Sequence, residues 1–135
     1  MDNKEYVDAV NFGNYPEDIK VPLDKPFVDD RGVIQNLWLG QSGSITFIES
    51  VAWKTRAKHT HSKDWHSTWI IEGQIKYIEI ENDVRTETVF SKGDMFFTRP
   101  GVYHEMLFLT DTKMITANGI TKNHVNYEAD VVRGK

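Results

Sequence analysis

The chain has 135 residues, of which 39% are hydrophobic and 12% aromatic, and this composition suits one packed domain and excludes a disordered chain. Its formal net charge is −4, with 16 basic and 20 acidic residues mixed along the sequence, so no basic stripe exists that could bind nucleic acid. The chain contains no cysteine, which excludes disulfides and leaves only nitrogen and oxygen ligands for any metal.

Membrane insertion and secretion find no support in the sequence. No apolar stretch approaches the roughly 20 residues that span a bilayer. The first residues have neither the basic start nor the apolar centre of a secretory signal. We therefore expect no membrane partner and a cytoplasmic location.

Residues 1–28 are predicted to form an N-terminal arm. Pro16, Pro22 and Pro26 remove backbone donors, so this segment cannot pair fully as a central strand. The arm is nevertheless rich in apolar side chains, namely Tyr6, Val7, Val10, Phe12, Tyr15, Val21, Leu23 and Phe27. We expect it to pack on the rest of the domain or on a second subunit, and on this basis we predict a homodimer.

Residues 29–135 are predicted to form a single β domain of short strands separated by turns. β-Branched and aromatic residues fill the predicted strands, while glycine, proline, asparagine and aspartate mark the breaks. The predicted strands are 33–39, 44–53, 66–71, 74–81, 86–90, 94–98, 104–109 and 113–119. About eight short strands without a long helical pattern are typical of an antiparallel sandwich or barrel.

Four of the five histidines fall within two short stretches. His59 and His61 are one residue apart, so in a strand both side chains point to the same face. His66 follows a short turn and opens the next predicted strand, and His104 follows the turn at Pro100-Gly101. Because a closed sheet brings distant strands to one interior point, we predict that these four side chains converge there.

Imidazole groups suit divalent transition metals, so the cluster predicts a site for iron, nickel, zinc, manganese or copper. Four neutral histidines would leave the charge of the ion uncompensated. Such a site would attract an anionic ligand, for example a carboxylate, an enolate or a hydroxide. A metal-free polar pocket is the alternative that the residues leave open.

The two stretches resemble the two sequence motifs of the cupin superfamily. In the first motif, His59, His61, His66 and Gly73 reproduce the family's spacing, although His66 stands where the usual ligand is a glutamate. In the second, the segment 93–104 has the glycine, the Pro-x-Gly turn and the final histidine. The resemblance implies an all-β fold, a small antiparallel β-barrel or jelly roll, with a metal bound by His59, His61, His66 and His104.

A second resemblance is to nucleotide-sugar epimerases and ketoisomerases of the cupin fold. It rests on Asp29-Asp30-Arg31-Gly32-Val33 and on Arg56-Ala57-Lys58-His59-Thr60-His61, where Ala57 occupies the family's glycine position. Those enzymes work without metal. The resemblance therefore implies that His59 or His61 acts as a general base beside a ketone.

Three functions follow as hypotheses. The first is a metal-dependent enzyme acting on a small anionic or carbonyl substrate by isomerase, lyase or dioxygenase chemistry, with His59, His61, Tyr103 and Arg56 as candidate catalytic residues. In this assignment Tyr103 is a pocket acid and Arg56 contacts a substrate anion. The second is a metal-independent nucleotide-sugar epimerase or ketoisomerase, and the third is a non-catalytic module that binds a small molecule.

Overall fold

The computed structural model describes residues 1–121 and 124–133. Within them two helices and eleven strands are found, and most of the fold is antiparallel β structure. The helices are α1 (Asn3–Asn11) and α2 (His124–Asp130). The strands are β1 (Phe27–Asp29), β2 (Gly32–Ile34), β3 (Ser44–Ser50), β4 (Thr55–His61), β5 (His66–Glu72), β6 (Gln74–Glu81), β7 (Val84–Ser91), β8 (Met95–Thr98), β9 (Tyr103–Phe108), β10 (Thr112–Asn118) and β11 (Val131–Arg133).

Two antiparallel sheets form the body of the domain. One has four strands in the order β3-β10-β5-β8, and the other has five in the order β11-β4-β9-β6-β7. A core of buried apolar residues lies between them, and its members come from both sheets: Ile70, Ile75, Tyr77, Phe90, Phe96, Phe108 and Met114. The predicted all-β cupin fold is confirmed.

The N-terminal segment begins with a helix, which the sequence analysis does not predict. Asp2 caps α1 and forms a capping box with Glu5. Tyr6, Val7 and Val10 are at most 2% exposed. These three residues lie on one helical face, so the helix is held by burial of that face on the sheet.

This segment also covers the outer face and the edge of β8. Tyr6 packs edge-on against Phe97 with ring centroids 5.8 Å apart. The Phe97 N–H donates to the Ile19 carbonyl at 2.8 Å, and the Val21 N–H donates to the Met95 carbonyl at 2.9 Å. All four residues of β8 are consequently buried, on both faces of the strand.

The predicted strand at 33–39 is shorter in the structure, where β2 ends at Ile34 and, among the described strands, pairs with β1 alone. The resulting β1–β2 hairpin leaves Phe27, Val28, Val33 and Ile34 between 60% and 67% exposed. No described helix is both long and apolar enough to cross a membrane.

Candidate functional site

A bulge in β4 sets the direction of the first two histidines. Ala57 and Lys58 adopt positive φ angles of 72° and 57°, and the pairing of β4 with β9 shifts register between Ala57 and His59. A bulge of this kind re-aims the side chains that follow it. His59 and His61 then both point inward, with exposures of 8% and 1%.

The other two histidines reach the same region from neighbouring strands. His104 is paired with His59 across β4 and β9, and His66 is paired with Thr98 across β5 and β8. The ring centroids of His59 lie 4.6 Å from His61 and 4.8 Å from His104. The His61 and His66 rings stack with centroids 4.2 Å apart. The structure therefore brings all four predicted histidines together inside the sandwich.

Only three of the four are arranged so that each can offer one nitrogen to a common ion. The ligand atoms of His59, His61 and His104 lie within 4.8 Å of one another. His66 is outside this group, and its Nε2 atom lies 3.4 Å from Asp64 Oδ2. Among the described residues, the predicted four-histidine set is thus a three-histidine cluster with His66 stacked beside it.

Two buried carboxylates support the cluster. Asp130, the last residue of α2, accepts a hydrogen bond from His61 Nδ1 at 3.0 Å and another from the Lys63 N–H at 2.7 Å. Asp64 accepts hydrogen bonds from the Gly119 N–H and from Asn118 Nδ2, both at 2.9 Å. Although burial opposes it, hydrogen bonds from His66 and Asn118 hold the pKa of Asp64 below its ordinary value.

The surroundings keep two of the histidines neutral. Burial lowers the pKa of His61 to about 4, and repulsion from His66 and His59 adds to this against the opposing bond to Asp130. Burial, together with His59 and His61, lowers the pKa of His104 to about 3. The Nδ1–H of His104 donates to the Val102 carbonyl at 3.3 Å, which leaves the lone pair on Nε2.

A cavity of about 150 Å³ lies between the two sheets beside this cluster. His59 and His104 line it from the five-stranded sheet and His66 from the four-stranded sheet, whereas His61 is outside the lining. Three threonines supply hydroxyl groups to the lining. The full set is Ile48, Arg56, Ala57, His59, His66, Thr68, Phe96, Thr98, His104, Met106 and Thr116.

Arg56, predicted to contact a substrate anion, borders this cavity. Its Nε donates to Ser50 Oγ at 2.5 Å and its Nη2 to the Glu49 carbonyl at 3.0 Å. Because a guanidinium has five N–H donors, these two bonds fix its orientation without using its full capacity.

Tyr103, predicted to be a pocket acid, points away from the cavity. It directly precedes His104 in β9, so its side chain is on the opposite face of the sheet. Its hydroxyl donates to Glu105 Oε1 at 2.8 Å on that face. Arg31 also lies elsewhere, since it is in the β1–β2 turn and bonds to Asp29 at 2.6 Å.

Strand β6 carries a polar group into the interior that the sequence analysis does not single out. Tyr77 and Glu79 are 1% and 6% exposed, and Glu79 is paired with His104 across β6 and β9. The Tyr77 hydroxyl donates to Glu79 Oε2 at 2.9 Å and lies 2.7 Å from Thr98 Oγ1. Burial raises the pKa of Glu79, against the opposing effects of Tyr77 and Arg99.

The donor set suits a divalent transition metal as well as a proton-transfer site. Imidazole nitrogens are typical ligands of zinc, copper, nickel and iron. A carboxylate that holds the Nδ1–H of a ligating histidine, as Asp130 holds His61, is a frequent companion of such ligands. His59, His61 and His104 therefore fit a metal by their chemistry.

The chain is similar in fold to several proteins of known structure. No protein-family model and no curated protein matches the chain. A 3,4-ketoisomerase from Helicobacter canadensis superimposes with a TM-score of 0.70 at 14% identity, covering 81% of this chain and 85% of that one. The sugar 3,4-ketoisomerase QdtA from Thermoanaerobacterium thermosaccharolyticum, solved with TDP, gives 0.69 at 18% identity, covering 86% and 85%. The capsular polysaccharide assembling protein CapF from Staphylococcus aureus gives 0.62 at 20% identity, covering 90% of this chain and 37% of CapF.

Proposed function

We propose that the protein is a metal-independent isomerase that acts on a nucleotide-linked sugar bearing a ketone, with His59 as the general base. The observation that carries the proposal is the cavity in which His59 and His104 face threonine hydroxyls. Similarity of fold to the two ketoisomerases supports the substrate class, since QdtA has been crystallised in complex with TDP and with TDP-4-keto-6-deoxyglucose.

The cavity holds the groups that such a reaction needs. His59 would take the proton from the carbon next to the ketone, and the electron pair of that C–H bond would form an enolate. Thr68 and Thr116 share one hydrogen bond at 3.0 Å, so one hydroxyl proton of the pair is available to stabilise the enolate oxygen. The adjacent hydroxyl then gives its proton to the enolate oxygen, and His59 returns the abstracted proton to the former carbonyl carbon, so that the ketone moves by one position and no proton is gained or lost.

His59 is a better candidate than His61 for the base. His59 lines the cavity, whereas His61 is 1% exposed and outside the lining. In this proposal His61 is a positioning residue. Its ring is held by Asp130 and contacts the His59 ring, so it fixes the orientation of His59. Since Tyr103 points away from the cavity, it has no part in the proposed chemistry.

The size of the cavity suits only the reacting part of the ligand. Its volume of about 150 Å³ is below the roughly 300–1,000 Å³ of pockets that enclose a drug-sized ligand. One sugar ring would occupy it, with the nucleotide outside. Arg56, at the border of the cavity, is then placed to bind the diphosphate.

The test is turnover of TDP-4-keto-6-deoxyglucose in D₂O, followed by proton NMR. The expected result is a shifted ketone and deuterium incorporation at the neighbouring carbon, in the presence of EDTA. Replacement of His59 by Gln should lower the rate by about 10²–10⁴-fold, as expected for loss of a general base. A rate that is unchanged in His59→Gln would refute the assignment of the base.

A metal-dependent enzyme is the second candidate, favoured by the close approach of the ligand atoms of His59, His61 and His104. Those three residues would hold the ion, and it would supply Lewis-acid chemistry to a carbonyl or anionic ligand. Elemental analysis of protein purified without a histidine tag separates the two candidates. Stoichiometric metal that is lost in His104→Ala, with activity abolished by EDTA and restored by the metal, would favour this second candidate.

We also propose that the chain forms a homodimer. Most apolar residues of the arm cannot contact a second subunit, because Tyr6, Val7, Val10 and Val21 are buried within the same chain. The exposed apolar residues of the β1–β2 hairpin remain. An isolated two-stranded hairpin is at best marginally stable in water, so contact with a second copy would stabilise it.

A further inference from the structure

The threonines of the cavity differ in whether their hydroxyl groups can donate a hydrogen bond to a ligand or only accept one. The difference depends on the buried Tyr77–Glu79 pair. Tyr77 Oη lies 2.9 Å from Glu79 Oε2 and 2.7 Å from Thr98 Oγ1. Thr98 is 3% exposed and lines the cavity. A chain of three hydrogen-bonding groups therefore runs from a buried carboxyl group to the cavity wall.

The order of donors along this chain is fixed by the chemistry of its members. A carboxylate only accepts, so the single hydroxyl proton of Tyr77 is directed at Glu79. The Tyr77–Thr98 contact then requires the Thr98 hydroxyl to be the donor. With its only proton committed to Tyr77, Thr98 can offer the cavity its lone pairs and no proton.

We propose that Thr98 accepts a hydrogen bond from a hydroxyl group of the bound sugar, and that Tyr77 and Glu79 are positioning residues that hold the Thr98 hydroxyl in this orientation. The identity of the ligand as a sugar rests on the proposed function. The conclusion that Thr98 can only accept a hydrogen bond from a ligand does not. The Thr68–Thr116 pair keeps one proton that it does not use within the pair, so the threonines of the four-stranded sheet present both a donor and an acceptor to the cavity. A ring that carries a hydroxyl beside a carbonyl matches both.

The experiment uses deoxyfluoro analogues, because fluorine retains the size of a hydroxyl approximately but cannot donate a hydrogen bond. Affinities of TDP-4-keto-6-deoxyglucose and its 2- and 3-deoxyfluoro analogues are measured by calorimetry for the native protein, Thr98→Val, Thr98→Ser and Tyr77→Phe. In the native protein one analogue should bind up to about tenfold more weakly, the usual size of a neutral hydrogen bond. Thr98→Ser, which keeps the hydroxyl, should retain this discrimination.

Thr98→Val should bind the parent compound more weakly and no longer distinguish that analogue. Tyr77→Phe frees the Thr98 proton, so discrimination should fall there too, a change that loss of packing alone would not produce. Equal discrimination in native protein and Thr98→Val, with turnover retained, would overturn the assignment of Thr98 and leave the proposed function intact.

A second probe separates failure of the proposed function from failure of this inference. Methyl 6-deoxyglucoside carries hydroxyls and no nucleotide, and its binding is followed by NMR shifts at millimolar concentration. Binding that depends on the Thr98 hydroxyl, without binding of the nucleotide sugar, would refute the proposed function and support the role of Thr98. Absence of binding by both compounds would overturn both proposals.

Discussion

Asp130 shows how a single carboxylate can organise the histidine cluster. It bonds to His61 Nδ1 and also to the Lys63 N–H, and it is 8% exposed. These bonds fix which nitrogen of His61 carries the proton and which way its ring faces. The residue supports either candidate chemistry, because a base and a metal both require an oriented, neutral imidazole.

Replacement of Asp130 by Asn is expected to lower activity, or metal affinity if a metal is bound, by about 10–100-fold. The physical reason is that an amide is a weaker acceptor for the His61 Nδ1–H and can present its NH₂ group instead. Nitrogen-15 NMR of the imidazoles should show a changed tautomer population for His61. Glu128→Gln, in the same helix and exposed, is the matched control, and an equal loss in both variants would contradict the assignment.

Ala57 is in a conformation that favours glycine, with φ of 72°. A left-handed conformation costs an L-residue roughly 1–2 kcal/mol, while glycine adds about 0.5–1 kcal/mol of unfolded-state entropy. Ala57→Gly should therefore increase the free energy of unfolding by about 0.5–1 kcal/mol in urea titrations. Ala117→Gly, in a regularly paired part of β10, should lower it, and destabilisation by both variants would argue against strain at the bulge.

At the scale of elements, eight of the eleven described strands overlap predicted ones, because turn residues bound them and β-branched or aromatic residues fill them. Strands β1, β4 and β11 were not predicted, since β1 and β11 have three residues each and β4 consists mostly of basic and histidine residues. The helix α1 was not predicted, because the three prolines that follow it favour an irregular arm, although the capping box of Asp2 and Glu5 is a sequence signal for a helix start. Although the separation of His66 from the other three does not follow from the sequence, the four histidines could be placed near one another from their spacing and from strand alternation. Asp130 and Glu79 could not, since their approach to the cluster depends on pairing between segments distant in sequence.

Asn3 ties α1 to the rest of the chain. Its Nδ2 donates to the Pro22 and Leu37 carbonyls at 2.7 and 2.9 Å, and its Oδ1 accepts from the Leu39 N–H at 2.9 Å. Asn3→Ala should lower the free energy of unfolding by about 2–3 kcal/mol, because it leaves these groups without that partner. Asn11→Ala, at the exposed end of the same helix, should change it by less than about 0.5 kcal/mol in the same urea titration. Equal effects would contradict this role of Asn3.

At the scale of the whole molecule, the proposed homodimer predicts that the β1–β2 hairpin is covered in solution. Val28 and Val33 are paired across the hairpin and are 67% and 64% exposed. The double variant Val28→Ser, Val33→Ser should shift the mass measured by analytical ultracentrifugation from dimer to monomer. Val84→Ser, equally exposed at 64% on another strand, is the control, and a monomeric native protein would refute the proposal.

The buried histidines also predict how the stability of the molecule depends on pH. The pKa values of His61 and His104 are lowered to about 4 and about 3, below the ordinary value of about 6.5. Between these values the unfolded chain binds more protons than the folded one, so stability is lost as the pH falls. Each histidine contributes on the order of 2 kcal/mol between pH 7.5 and pH 5, and the raised pKa of Glu79 opposes part of this.

The urea midpoint should therefore fall between pH 7.5 and pH 5, and the fall should be shallower in His104→Gln. The slope with pH is the informative quantity, since this variant also changes the absolute stability. The lowered pKa of Asp64 also makes stability depend on pH. That contribution is lost only below about pH 4, outside this window. A native midpoint that stays constant from pH 7.5 to pH 5 would mean that the histidines are not held neutral by burial.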